Sequence, residues 1–381
     1  MNVDEIVARA RAETGLTDIG EPDIVPRLRR VVDCFEREAH LSPMGVAAET
    51  EGLVRIVSNR LRVQEQFRRH PEILKEPIRG PVIITGLPRS GTTKLLRMLA
   101  ADARFQKLPL WRILHPVPLR EGPGETEERI AIAEQLSTVM RTNFPDFYAG
   151  HPMNALEPDE EEWLLDMVML GYVNSHAMRT PSWEQWMDRQ DFRPWYRYLR
   201  GLLQLLQWQD GARGRPWLLK APSHLQHMKL LFEEFPDATV VHCHRDPVTT
   251  ITSLAALIEA SRRMYSDLDA PAEVGEFTLR HWAMQMRKYA DQRAQLERSH
   301  RFVDIAYRDI TGDLVPAANR IYEAAGIPFT ADARDSLHRW NRDNPPGKHG
   351  QHRYTMERYG LTAEAIRAGF AGYLTRFGDF I

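Results

Sequence analysis

The run Val82-Ile83-Ile84-Thr85 passes directly into Gly86-Leu87-Pro88-Arg89-Ser90-Gly91-Thr92-Thr93, and this junction constrains the fold most. Four apolar or β-branched residues in a row suit a strand buried on both faces of a parallel sheet. The loop that follows holds two glycines and a proline. Leu95, Leu96, Met98 and Leu99 then recur at helical spacing. Strand, glycine-containing loop and helix open a βαβ unit. Three further strands are predicted at Trp217–Leu219, Ala238–His242 and Arg301–Ile305. Helices are predicted at Ser223–Phe235 and from Pro247 onward, where proline is tolerated in a first turn. Strands alternating with helices imply an α/β fold, with a mainly parallel sheet flanked by helices.

Upstream of Gly80-Pro81 the period is helical. Ile24, Val25, Leu28, Val31, Val32 and Phe35 share one stripe, and Leu53, Ile56, Leu61 and Phe67 another. Residues 1–79 are therefore expected to form a helical N-terminal extension packed on a domain spanning 80–381. A helical insertion is expected over roughly 125–210. It holds Trp163, Trp183, Trp186, Trp195 and Trp208, whose ordinary role is core packing and whose alternative role is to line an apolar cavity.

Charge and cysteine content narrow the partners. Lys plus Arg number 50 and Asp plus Glu 52, so the net charge is −2. That balance argues against a dedicated nucleic-acid binder, while allowing a local basic pocket for a small anion. A charged fraction of 27% with 43% hydrophobic residues excludes a disordered chain. No apolar run reaches the roughly 18 residues of a membrane helix. Two distant cysteines, Cys34 and Cys243, exclude a disulfide framework. With the acidic start Met1-Asn2-Val3-Asp4-Glu5, they lead to the expectation of a cytoplasmic protein.

The loop at 85–93 is built for an anion. It sets backbone N–H groups and hydroxyls at a helix N-terminus, where the helix dipole favours negative charge. Arg89 adds a permanent positive charge. The glycine spacing is that of a P-loop NTPase, but Thr92 stands where the phosphate-reaching lysine belongs. Without that lysine a nucleotide kinase lacks the cation for β/γ-phosphate transfer. The fold expectation is thus P-loop NTPase-like, with different chemistry.

These residues resemble the sulfotransferase superfamily, and its tyrosylprotein and bacterial branch in particular. Pro88 to Thr93 match its 5′-phosphosulfate loop, Pro-(Lys/Arg)-Ser-Gly-Thr-Thr. Arg245, after a strand, and Ser253, eight residues on in the next helix, match its 3′-phosphate motif. Leu218-Leu219-Lys220-Ala221-Pro222-Ser223-His224-Leu225 is similar to its strand-end lysine segment. The likeness continues through Phe232–Ala238 and from His352 to Phe377, so it covers about 80–381.

The resemblance implies transfer of a sulfuryl group from 3′-phosphoadenosine 5′-phosphosulfate (PAPS) to a hydroxyl or amine, with no bound metal. It implies donor binding by Arg89, Ser90, Gly91, Thr92, Thr93, Arg245 and Ser253. In relatives a basic C-terminal loop closes on the 3′-phosphate; here that is the segment 344–353, with Lys348 and Arg353. Arg89 and Lys220 are the catalytic cations expected. His224 is the candidate base, with His115, His151 and Glu161 as alternatives. Bacterial relatives are expected to carry a Trp-Glu pair after the first βα unit, but this chain has Trp111-Arg112, so that glutamate role is not carried over. The acidic run Glu157–Glu162 has the ordinary explanation of a helix N-terminus with favourable dipole charge. His242-Cys243-His244 lacks zinc-type spacing. The acceptor is expected to be a small or lipid-like alcohol. A nucleotide kinase and a non-catalytic nucleotide-binding scaffold of the same fold are the rival expectations.

Overall fold

The computed structural model describes residues 1–171, 176–345 and 354–381. Four parallel strands form one sheet in the order β2-β1-β3-β4, with β1 at Val82–Gly86, β2 at Leu218–Lys220, β3 at Thr239–His244 and β4 at Arg301–Ala306. The register pairs Ile84 with Lys220, Gly86 with Cys243 and His244 with Ala306. The carboxyl ends of β1, β2 and β3 therefore share one edge, the usual place of ligand sites in open α/β sheets.

Strand alternation assigns the two faces. Val82, Ile84, Leu218, Val241, Cys243 and Ile305 pack on one side, against Leu95, Leu99 and Tyr322. Ile83, Leu219 and Val240 pack on the other, against Leu202, Leu206 and Trp217. Both faces are covered, which is why these strands read as continuous apolar runs.

The predicted strands are present with ends shifted by one or two residues. The helix expected at Ser223–Phe235 is broken: a 3-10 helix, Pro222–His227, precedes an α-helix, Met228–Glu234. The break falls at His227, whose ring stacks on Phe192 at 4.1 Å. The N-terminal helices Val3–Thr14, Ile24–Glu38 and Pro43–Arg69 bury Ile6, Leu28, Phe35 and Leu61 in the same apolar cluster as Leu202 and Trp183. Helices Glu125–Asn143, Pro145–Gly150, Pro181–Met187 and Arg193–Asp210 fill the middle of the chain, with a 3-10 helix at Glu161–Val168. Trp183 and Trp195 are core residues. Among the described residues, no helix is long and apolar enough to cross a membrane.

Candidate active site

β1 ends on Gly86, whose φ of 146° and closeness to β3 suit glycine alone. A Cβ there would stand 2.6 Å from the Cys243 carbonyl oxygen. The chain then turns through Arg89, with φ 72°, and Gly91, with φ 91°. A positive φ at arginine is sparsely populated for an L-residue and is held by surrounding contacts. The Ser90 hydroxyl donates to Leu87 O at 2.6 Å, which ties the loop to itself. Thr92 and Thr93 start the helix Thr92–Leu99.

Three of the predicted cations, Arg89, Arg245 and Lys220, come together at this edge. Arg89 Nε donates to Ser253 Oγ at 3.2 Å, and its Nη1 donates to Gly150 O. Burial, reinforced by Arg245, pushes the Arg89 guanidinium below its ordinary value. Arg245 Nη1 donates to Arg89 O at 2.7 Å, and its guanidinium lies 3.9 Å from the Tyr307 ring centroid. Ser253 is in the second turn of the helix Pro247–Arg262, capped by the Asp246 carboxylate. Behind Arg245, the Tyr373 hydroxyl bonds His244 Nδ1 at 3.1 Å. His244 Nε2 in turn meets Asp304, which also accepts from Arg293. The expected contacts of Lys348 and Arg353 lie outside the described residues. Tyr354 is near enough to Arg89 to favour its charge.

Lys220, at the end of β2, is fully buried. Its Nζ donates to Thr93 Oγ1 at 3.3 Å and pairs with Glu160. An ammonium thus reaches the loop from a neighbouring strand, although position 92 within the loop lacks one.

The acidic run enters the site. Residues 108–111 and 155–159 pair across an antiparallel bridge, with Asp159 N donating to Leu108 O at 3.0 Å and Leu110 N to Glu157 O at 3.1 Å. The run does begin a helix, as expected, but its side chains are committed elsewhere. Asp159 meets His151 Nε2 at 3.2 Å. Burial alone would raise the Asp159 carboxyl, but His151, Lys220 and Arg97 together hold it well below the usual carboxylate range. Glu160 holds Lys220. Glu161 accepts from the Lys220 backbone N–H at 2.8 Å and meets His224 Nε2 at 2.8 Å.

His224 is fully buried, and its Nδ1 meets Tyr196 OH at 2.9 Å. Both ring nitrogens are therefore occupied, a geometry that holds Glu161 and leaves no nitrogen for an acceptor. His115 is buried beside Asn59, with its pKa pushed down to about 3 chiefly by burial. Arg112 pairs with Asp210, away from the carboxylates. Asp159 and Glu160 had no individual role in the sequence, since a six-residue acidic stretch gives no hint of which carboxylate goes where.

Against this edge opens a cavity of about 230 Å³. Pro88, Glu160 and Ser223 bound it at the loop. Trp163, Met140, Phe147 and Leu257 supply apolar wall, and His151 faces it as well. Trp163 is thus a cavity residue, whereas Trp183 is core.

Comparison with known proteins agrees with this geometry. The sulfotransferase family model matches residues 81–331. The omega-hydroxy-beta-dihydromenaquinone-9 sulfotransferase Stf3 of Mycobacterium bovis is 25% identical over 293 residues, covering 74% of this chain and 72% of that protein. The crystal structure of sulfotransferase STF1 from Mycobacterium tuberculosis superposes with a TM-score of 0.80 at 30% identity, covering 98% of this chain and 99% of that one. STF9 from Mycobacterium avium gives 0.86 at 26% identity, over 98% and 96%. With its loop, its strand-end cations and its whole-chain likeness to these structures, the chain belongs to the sulfotransferase family.

Proposed function

We propose that the protein moves the sulfuryl group of PAPS to a hydroxyl of a lipid-like acceptor held in the cavity. One observation carries this reading: Arg89, Lys220, Arg245 and Ser253, from separate segments, converge at one sheet edge beside an apolar cavity. Backbone N–H groups at 90–93 and Arg89 suit the 5′-phosphosulfate. Arg245 and Ser253 suit the 3′-phosphate. The lipid-like acceptor follows from the apolar wall and from the menaquinone derivative in the name of the relative Stf3.

The acceptor oxygen attacks sulfur in line. The bond from sulfur to the bridging oxygen breaks, and adenosine 3′,5′-bisphosphate leaves. Lys220 Nζ donates to that bridging oxygen as its charge builds. His151 takes the acceptor proton, oriented by Asp159 as a base is oriented by its carboxylate partner. His224, Tyr196 and Glu161 position the Lys220 backbone.

Calorimetric titration with adenosine 3′,5′-bisphosphate, against ATP with Mg²⁺, tests the donor. Tight bisphosphate binding that is lost in Arg245→Ala is expected. ATP binding in its place returns the kinase reading, and binding of neither nucleotide returns the scaffold reading.

A further inference from the structure

The cavity extends beyond the residues that would handle sulfur. The 3-10 helix Glu161–Val168, which begins directly after Glu160, runs along its wall and places Trp163 and Asp166 on one face. At about 2.0 Å per residue, Asp166 lies roughly 12 Å along the helix from Glu160. The same lining carries a further set of polar residues, in which the His176 ring stacks on Trp282 at 5.5 Å. Glu49 and Arg55 come from the helix Pro43–Arg69, Trp282 and Gln285 from the helix Pro271–Leu296, and His176 from between.

Several polar atoms at this end are shielded from solvent. Asp166 Oδ1, His176 Nε2, Trp282 Nε1 and Gln285 Oε1 each have no hydrogen-bond partner among the described residues. Trp282 is 2% exposed and Gln285 1%. Buried polar groups in folded proteins are nearly always satisfied, so such a group of them marks a place for a ligand atom. The set is mixed: Trp282 and Arg55 donate, and Asp166 and Gln285 accept. Burial pushes the Glu49 carboxyl up to about 8 and the Asp166 carboxyl up to about 7, so this lining offers neutral acid groups, an amide and an indole rather than a counter-charge for an ammonium. A hydroxyl both donates and accepts and so satisfies a mixed set of this kind.

We propose that this end of the cavity is a second polar subsite, which binds an uncharged hydroxyl at the far end of an otherwise apolar acceptor. The inference deepens the acceptor reading above and rests on it. The acceptor class is then an amphiphile with polar groups at both ends, about ten carbon–carbon bonds apart given the roughly 12 Å separation.

Quenching of tryptophan fluorescence by decanediol, decanol, decylammonium and decanoate tests it directly, because Trp163 and Trp282 line the cavity. Decanediol is expected to bind about tenfold more tightly than decanol, the effect of one or two net hydrogen bonds. Asp166→Leu should abolish that preference while keeping decanol binding, and Gln285→Leu gives a second variant should the first fail to fold. Bisphosphate affinity, measured alongside, should not change in either. Equal binding of diol and alcohol, tightest binding of decylammonium, or a preference that survives both substitutions would overturn the subsite. Failure of bisphosphate binding in the wild type would instead overturn the sulfotransferase mechanism, with the diol preference still scored on its own.

Discussion

Replacing Lys220 separates its two roles, structural and chemical. Its ammonium is fully buried, pairs with Glu160 and bonds Thr93. Lys220→Met keeps the apolar stem and removes the charge. Glu160 then loses its partner, and breaking a buried pair on one side costs about 3–5 kcal/mol. The Glu160 side chain keeps 17% exposure and borders the cavity, so water offsets part of this and a loss of about 1–3 kcal/mol is expected. Lys220→Met with Glu160→Gln removes both charges and should restore most of that stability in urea unfolding. Turnover should behave differently. Losing a preorganised donor to developing charge lowers kcat by about 10²–10³-fold. The double variant should stay equally slow, because nothing replaces the donor to the bridging oxygen. Bisphosphate affinity should fall far less than kcat. Recovery of turnover in the double variant, or kcat within threefold of wild type in Lys220→Met, would refute a chemical role for the ammonium.

Three further outcomes are expected. His151→Asn should lower kcat by about 10²–10⁴-fold at unchanged bisphosphate affinity, while His224→Asn should lower kcat far less. Tyr196→Phe leaves His224 Nδ1 unpaired in a buried site and should cost about 1–3 kcal/mol in denaturant unfolding. Burial, reinforced by Asp166 for Glu49 and by Glu160 for Glu162, pushes both carboxyls up to about 8. Between pH 6.5 and 8 the folded state therefore holds protons that the unfolded chain, with carboxyls near 4.3, has already lost. Stability must fall as pH rises through that window, by up to about 1.4 kcal/mol per pH unit and group. Buried His115, His176 and His227, pushed down to about 3, act below the unfolded value of about 6.5 and oppose stability only on acidification. Asp166, pushed up to about 7 chiefly by burial, acts in the same direction, so thermal melts at pH 6.5 and 8 should converge in Glu49→Gln with Glu162→Gln and Asp166→Asn.

The strands, the glycine loop and the cations on them were legible in the chain, because their signals are local. A β-branched run, two glycines five apart and an arginine eight residues before a serine each specify backbone geometry within one or two turns. Those features determined the sheet, the anion loop and the family. The cavity chemistry was not legible. Which member of Glu157–Glu162 holds Lys220, and which orients His151, depends on the bridge between segments 155–159 and 108–111. His224 stood at the expected strand end, yet Tyr196 and Glu161, 28 and 63 residues away, occupy both its nitrogens. Likewise Glu49, Arg55, Asp166, Trp282 and Gln285 share one wall only after three distant helices pack. Side-chain partnership across such separations is decided by packing, since sequence neighbours do not report which faces meet. The chain by itself determined the strand, the glycine loop and the cations at one sheet edge, and tertiary packing decided which carboxylate and imidazole face the cavity.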